Sequence, residues 1–297
     1  MAELTGKAIS ELPAATTIND TDLLAISQNG ASKKVTPPVL LSGVEGEISG
    51  LSGSLATYVR PNLLDNWYFI RGVAQTGVAS FPINQRGQSS YSGSGYTIDR
   101  WVGGTANSLV ALGYSNYIVI KSSAAGGQNL LMQYFENKEM FAGKTVTISA
   151  IINNTLVSST ISIPADSSTW GSTIPTGTAA VGGCAVYLRY LWGKLCFVFF
   201  ATSAYVANTN ILIQAAKIEI GDTQTLAHQV GNVLTLNEMP NYSEQLVRCQ
   251  RFFQMYRTQA LRPTYGADCR PVMASESPTA GTITAGSVTY YTLSSDL

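Results

Sequence analysis

The sequence predicts a mainly β protein. A β-sandwich spans about residues 61–257, an N-terminal β anchor and a short helical neck precede it, and a small β tip from about 258 to 297 follows it. Three observations carry this prediction. From about residue 60 to 235, apolar residues recur with period two in short runs separated by Gly, Ser, Asn and Pro clusters, as in half-buried strands between turns. Charged residues make up 12% of the chain, about half the usual share of roughly 25%. Ser, Thr, Gly, Asn and Tyr stand in their place, a composition suited to a β-rich surface that meets polar ligands. Only two stretches keep helical spacing, and both are short.

The anchor, about 1–40, contains ISELPAATTINDTDLLAISQNGASKKVT at 9–36. Ile9, Leu12, Ile18, Leu23, Leu24 and Ile26 supply its apolar positions. Asn29-Gly30 predicts a two-residue hairpin turn, because both central residues of a type I′ turn need positive φ. Pro37-Pro38 stops the strand. A unit of under about 40 residues needs disulfides, a metal or oligomerisation to hold. No disulfide or metal pattern is present, so the anchor is expected to pack against its own copies or another protein.

The neck, 41–60, reads LSGVEGEISGLSGSLATYV before Arg60-Pro61. Leu41, Val44, Ile48, Leu51, Leu55 and Tyr58 follow 3-4-3-4-3 spacing, an a/d seam. Gly43, Gly46, Gly50 and Gly53 lie off the seam, at about 1 kcal/mol each relative to Ala. Such a helix does not persist as a monomer but can persist packed on two copies of itself. The alternative is a flexible Gly/Ser linker.

Within the sandwich, TVTISAII (145–152) alternates Val146, Ile148, Ala150 and Ile152. AVYLRYLWGKLCFVFFA (185–201) predicts a hairpin turning at Trp192-Gly193-Lys194, and NILIQAAKIEIGD (210–222) a long strand. Past Pro240, NYSEQLVRCQRFFQMY predicts a helix with Asn241 or Ser243 as N-cap and Glu244 in its first turn. RFFQMYR within it reads equally as a strand. The tail supplies two or three short strands.

Formal net charge is zero, so nothing steers the chain toward nucleic acid or anionic lipid. Cys184, Cys196, Cys249 and Cys269 form no CxxC pair, and the lone His228 is far from them in sequence; buried thiols are expected rather than a zinc site or a disulfide framework. No signal-peptide pattern and no run of about 18 apolar residues is present, which predicts folding inside a cell without a secretion route of its own and no membrane insertion. P-loop, dinucleotide and EF-hand patterns are missing, and no cofactor or metal is expected.

For glycoside hydrolysis, Asp99, Glu136, Glu139, Asp166, Glu219 and Asp222 are the carboxylates to weigh. Glu136 and Glu139 read as solvated charges of a turn, and Glu219 and Asp222 as the capping of a strand end. His228 has no GxSxG elbow to serve and reads as a surface loop histidine. No catalytic residue is assigned. Sugar binding needs less: an aromatic face for the C–H face of a pyranose, with polar groups beside it. Trp67, Tyr68 and Trp101 sit in strand-like motifs and read as core. Trp170, Tyr114, Tyr117 and Trp192 sit in or beside turns and are the candidate ligand contacts, with Trp170 in DSSTWGSTIPTG first. NQRG (84–87) could hydrogen-bond a ligand, although its Gly87 turn favours a structural role, and Tyr265, Tyr290 and Tyr291 are alternative contacts or trimer-core residues.

Several stretches together resemble known proteins. The segment at 9–36 resembles the attachment segment of bacteriophage tail-fibre proteins. NLLDNWYFIRG, FPINQRG and YTIDRW resemble the opening of a jelly-roll domain of phage tail proteins. LLMQYFENKEMFAGKTVTISAII is similar to a stretch of carbohydrate-binding modules. AAKIEIGDTQT followed by YSEQLVRCQRFFQ resembles the last strand and exit helix of such a domain, and RPVMASESPTAG the start of its tip. The resemblance implies a trimeric tail-fibre or receptor-binding protein of the virion, assembled in the host cytoplasm. Its N-terminus would attach to a tail, baseplate or capsid adaptor, and its jelly roll or tip would meet host surface polysaccharide. The alternative is a structural virion protein, such as a head fibre, decoration or baseplate component; a third reading is a glycan depolymerase. The long shaft of typical fibres is absent.

Overall fold

The computed structural model describes residues 24–28, 31–36, 59–70, 80–112, 116–173, 175–264, 269, 271, 273–275, 277–285 and 287–295. The chain divides between Tyr58 and Val59 into two units, each taken by itself. In the first, β1 (Leu24–Gln28) pairs antiparallel with β2 (Ala31–Val35), with Gln28 opposite Ala31. This is the hairpin that Asn29-Gly30 predicts. Ile18, Leu23, Asn29, Gly30 and the whole neck seam of Leu41, Val44, Ile48, Leu51, Leu55 and Tyr58 lie outside the described residues.

The second unit is mainly β. Its strands are β3 (Ser90–Ser92), β4 (Gly95–Tyr96), β5 (Val102–Gly103), β6 (Ser108–Ala111), β7 (Ile118–Ser122), β8 (Gln128–Tyr134), β9 (Thr145–Ile152), β10 (Thr155–Ser162), β11 (Pro175–Gly177), β12 (Cys184–Leu191), β13 (Lys194–Ala201) and β14 (Ile211–Ile220). They form two six-stranded antiparallel sheets, ordered β10-β9-β14-β7-β6-β3 and β11-β12-β13-β8-β5-β4. Val146, Ile148, Ile120 and Ile218 of the first sheet share one buried cluster with Leu131, Val186, Leu188, Phe197 and Phe199 of the second. Two sheets facing across one core make a β-sandwich. The chain passes between sheets at β3–β4, β5–β6, β7–β8, β8–β9, β10–β11 and β13–β14.

Period two is broken at the central strands. In β9 every residue from Val146 to Ile152 is buried. The reason is the segment after β14. Thr147 Oγ1 donates to the Gly221 carbonyl at 2.8 Å, and the fully buried Lys217 Nζ reaches Glu238 Oε1 at 2.8 Å. Glu219, also fully buried, accepts from Thr225 N at 2.6 Å and Thr225 Oγ1 at 2.5 Å. The returning chain covers the outer face of β9 and β14 and carries the hairpin of β15 (Ala227–Val230) and β16 (Val233–Leu236). His228 therefore sits in a strand rather than a loop, exposed, with Nδ1 bonded to Asn237 Oδ1.

The one regular helix of any length among the described residues, α1 (Tyr242–Gln250), starts at Asn241, whose Oδ1 accepts from Glu244 N at 3.2 Å. An uncapped N-terminus leaves donors unpaired; this side chain supplies one acceptor. Gln245 Oε1 of α1 accepts from Asn66 N at 2.7 Å. Asn66 in turn donates to the carbonyls of Ile83 and Asp99, both at 2.9 Å. Those bonds hold the helix against the loops that open the sandwich. RFFQMY then resolves as β17 (Phe253–Tyr256), which joins β19 (Val288–Ser294) and β18 (Thr279–Ala285) in the order β17-β19-β18. The terminal sheet therefore begins at Phe253, and the boundary expected at 258 falls after its first strand.

Candidate functional site

The aromatic residues sort by environment. Trp67, Tyr68 and Trp101 are buried, as their strand-like surroundings predict. Trp170 is buried too, at 0% exposure, and this corrects its expected role as first ligand contact. Asp166 caps the preceding turn by accepting from Ser168 N at 2.9 Å. That turn swings the indole inward, where Nε1 donates to the Pro164 carbonyl at 2.8 Å and the ring meets Tyr190 edge-on at 5.9 Å. No ring face is left for a sugar. Tyr114 lies outside the described residues, and Tyr117 is half-buried. Of the secondary candidates, Tyr290 and Tyr291 are half-buried on β19, and Tyr265 lies outside the described residues.

Trp192 is the opposite case, with 74% of its surface exposed. It lies in the β12–β13 turn, which is Trp192-Gly193 alone, since Leu191 pairs with Lys194. Both turn residues have positive φ, 50° and 77°, the type I′ geometry that matches strand twist. The β9–β10 hairpin fills the same two positions with Asn153 and Asn154, at 48° and 60°. Asn tolerates that region; a large aromatic does so at a cost of about 1 kcal/mol. An indole with 74% of its surface in solvent buries little to offset that cost.

The tip is braced from below. Between β8 and β9 a single 3-10 turn, Lys138–Phe141, packs Phe141 into the core. Lys138 Nζ donates to the Gly193 carbonyl at 3.1 Å and the Tyr190 hydroxyl at 2.8 Å. Glu139 stands exposed beside it. On the other side Lys194 Nζ lies over the Tyr134 ring at 5.4 Å. Met132, Tyr134, Cys196 and Val198 form a second apolar cluster, with Phe200 and Leu191 packed on it. Tyr187 meets Phe200 edge-on at 5.3 Å, and Arg189 covers Phe200 while donating to Asn129 Oδ1 at 2.9 Å. Burial pushes the Tyr134 hydroxyl and the Cys196 thiol up to about 12, so both stay neutral at ordinary pH. The charges of this outer face are then those of Arg189 and Lys194. An exposed indole with the ammonium groups of Lys138 and Lys194 and the Glu139 carboxylate around its hairpin is equipped to stack on a sugar ring and bond its hydroxyls.

Sequence reading missed Tyr134, Tyr187, Arg189 and Phe200. Tyr187 and Arg189 alternate with the core residues Val186 and Leu188, which is the signal that could have placed them on the outer face. NQRG is structural. Gln85 N and Arg86 both bond the buried Asp99 carboxylate, at 2.7 and 3.1 Å, and Gln85 Nε2 donates to the Phe253 carbonyl at 3.1 Å. Burial pushes Asp99 up to about 6, against the pull of Arg86 and Gln85. The other carboxylates are dispersed: Glu136 pairs with Arg251 at 2.7 Å, Glu219 holds Thr225, and Asp166 and Asp222 are at the surface. All four cysteines are buried, and no disulfide joins them. Among the described residues no three His, Cys, Asp or Glu side chains gather as a metal site, and no helix is long and apolar enough to cross a membrane. No family model, curated protein or solved structure matches the chain.

Proposed function

We propose that this chain is a glycan-binding adhesion protein of a bacteriophage particle, a tail-fibre or receptor-binding protein. It attaches to the virion through residues 1–40, assembles as a trimer along the 41–60 seam, and meets host surface polysaccharide through a jelly-roll sandwich. The single observation that carries the binding reading is Trp192, exposed and held at positive φ on a braced hairpin tip. Support for the particle comes from the resemblance of the 9–36 segment and of the sandwich motifs. The repeated passage of the chain between the two sheets supports a jelly roll. Three copies would multiply weak contacts at one site into firm attachment.

The chain carries its own probe. Of four tryptophans, Trp67, Trp101 and Trp170 are buried and Trp192 is open to solvent. Polysaccharide purified from the host surface should shift the emission to the blue and protect Trp192 from acrylamide. Trp192→Ala should abolish adsorption with the melting transition unchanged. Full adsorption by that variant would favour a structural role in the particle. Light scattering on the full chain tests the trimer, and a monomeric mass would remove the symmetric fibre.

A further inference from the structure

A second site lies on the far side of the same 3-10 turn. Lys138 touches the Trp192-Gly193 hairpin, while Met140, two residues on, lines a cleft of about 240 Å³. Two residues of a 3-10 turn advance about 4 Å, so the hairpin tip and the cleft flank one short element. The cleft is lined by Arg100, Arg248 and Arg251 and by Asp65 and Glu136, and a third acid, Glu244, bonds Arg248 beside it. Its floor includes Phe135 and Phe252.

The three guanidiniums differ in how firmly they are held. Arg100 is buried. Its Nε donates to Asp65 Oδ2 at 2.8 Å, its NH2 to the Tyr134 carbonyl at 3.1 Å, and its plane covers Phe252 at 3.5 Å. It occupies Asp65 Oδ2 and leaves Oδ1 facing Arg248. Arg248 and Arg251 are 42% and 44% exposed. Arg251 bonds one oxygen of Glu136, itself 38% exposed. Arg248 bonds Glu244 one helical turn away, 61% exposed, and lies 3.6 Å from Asp65. Exposed pairs of this kind are weak and exchange readily, and each guanidinium carries five donors in a fork that fits a carboxylate or phosphate with two bonds. An incoming anion can take the place of Glu136 and Glu244, with an apolar floor beneath the rest of the ligand.

We propose that this cleft is an anion subsite for a carboxylate- or phosphate-bearing sugar, and that the glycan met by Trp192 is acidic. The inference rests on the binding reading above for the continuity of the two sites. Its chemistry belongs to Arg248 and Arg251, and to Glu136 as an internal competitor.

Three probes are titrated into the full chain: a polyuronate oligomer, a glycerol phosphate oligomer and a neutral oligoglucan. Binding is read by calorimetry and, separately, by acrylamide protection of Trp192. One or both anionic probes should bind at least about tenfold more tightly than the neutral one, a preference that fades with salt. Arg248→Gln with Arg251→Gln should remove the preference. Glu136→Gln should increase anion affinity, because it frees Arg251; loss of a purely structural ion pair would not do so. Which anionic probe binds identifies carboxylate or phosphate as the group. No binding of either anionic probe, equal affinity for all three, or an unchanged preference in the double variant overturns the subsite. Protection of Trp192 by the neutral probe without any anion preference would leave the adhesion reading standing and remove only this one. Anion binding that is abolished by the double variant and never protects Trp192 would keep the cleft but sever it from the hairpin tip.

Discussion

Lys138 Nζ donates to the carbonyl of Gly193 at 3.1 Å, so the turn between β8 and β9 holds the tip of a hairpin that closes more than fifty positions later in the chain. The same ammonium bonds Tyr190 and lies over its ring at 4.9 Å. The tip is thus clamped from beneath, and the indole of Trp192 is left facing water. A loop on a rigid sandwich can carry function because the scaffold absorbs the ordering cost before the ligand arrives.

The first prediction follows from the backbone of that tip. Asn-Gly suits a type I′ turn better than Trp-Gly does, so Trp192→Asn should stabilise the protein by about 1 kcal/mol, raising Tm by about 2–4 °C. The same substitution should remove adsorption. A lower Tm would mean that the indole packs on something in the folded assembly.

Trp170 should behave in the reverse way. Its ring is enclosed and its N–H is bonded to Pro164, so Trp170→Ala should cost about 3–5 kcal/mol. A urea melt measures the loss. Host adsorption by the fraction still folded should be unchanged. Normal stability with lost adsorption would restore Trp170 as a ligand contact.

These two tryptophans show how far the sequence could be read. Each is followed directly by a glycine, Gly171 or Gly193, and local sequence marks both as turn residues. What separates them is tertiary: Asp166 caps one turn so that it folds inward, whereas Lys138 holds the other outward. The long strand β14, the β9 strand, a helix start at Asn241 or Ser243 and the sandwich character were legible from periodicity and turn chemistry. The outer face of β13 was not, because LCFVFF is apolar at both parities and both faces are covered. Nor was the role of Glu219 as a buried anchor, since the Thr225 that it holds lies on the returning chain. The arginine cleft joins residues 65, 100, 136, 248 and 251, a constellation that no local spacing reveals.

Glu219 supplies the third prediction. Its carboxylate accepts two bonds from Thr225 and lies 4.0 Å from the buried Lys217 ammonium. Glu219→Ala leaves two donors unpaired and takes one counter-charge from a buried cation, for a loss of about 3–5 kcal/mol. Chemical denaturation of the variant measures it. A loss below about 1 kcal/mol would show that the returning segment is held by its apolar contacts alone.

The last prediction concerns pH. Asp99 is buried and its carboxyl is pushed up to about 6, from an ordinary value of 3.8. Between those two values the folded protein holds a proton at Asp99 that the unfolded chain has released. The folded state binds more protons there, so this group makes stability fall as pH rises from about 4 to 6, with the full cost present at pH 7. Asp99→Asn is neutral at every pH and can still accept from Gln85 N. The difference in Tm between this variant and the parent should therefore move in favour of the variant as pH is raised from 4 to 7, and level off above that. Movement in favour of the parent over that range would mean that the Arg86 guanidinium, 3.1 Å away, outweighs burial and holds the folded carboxyl below its ordinary value.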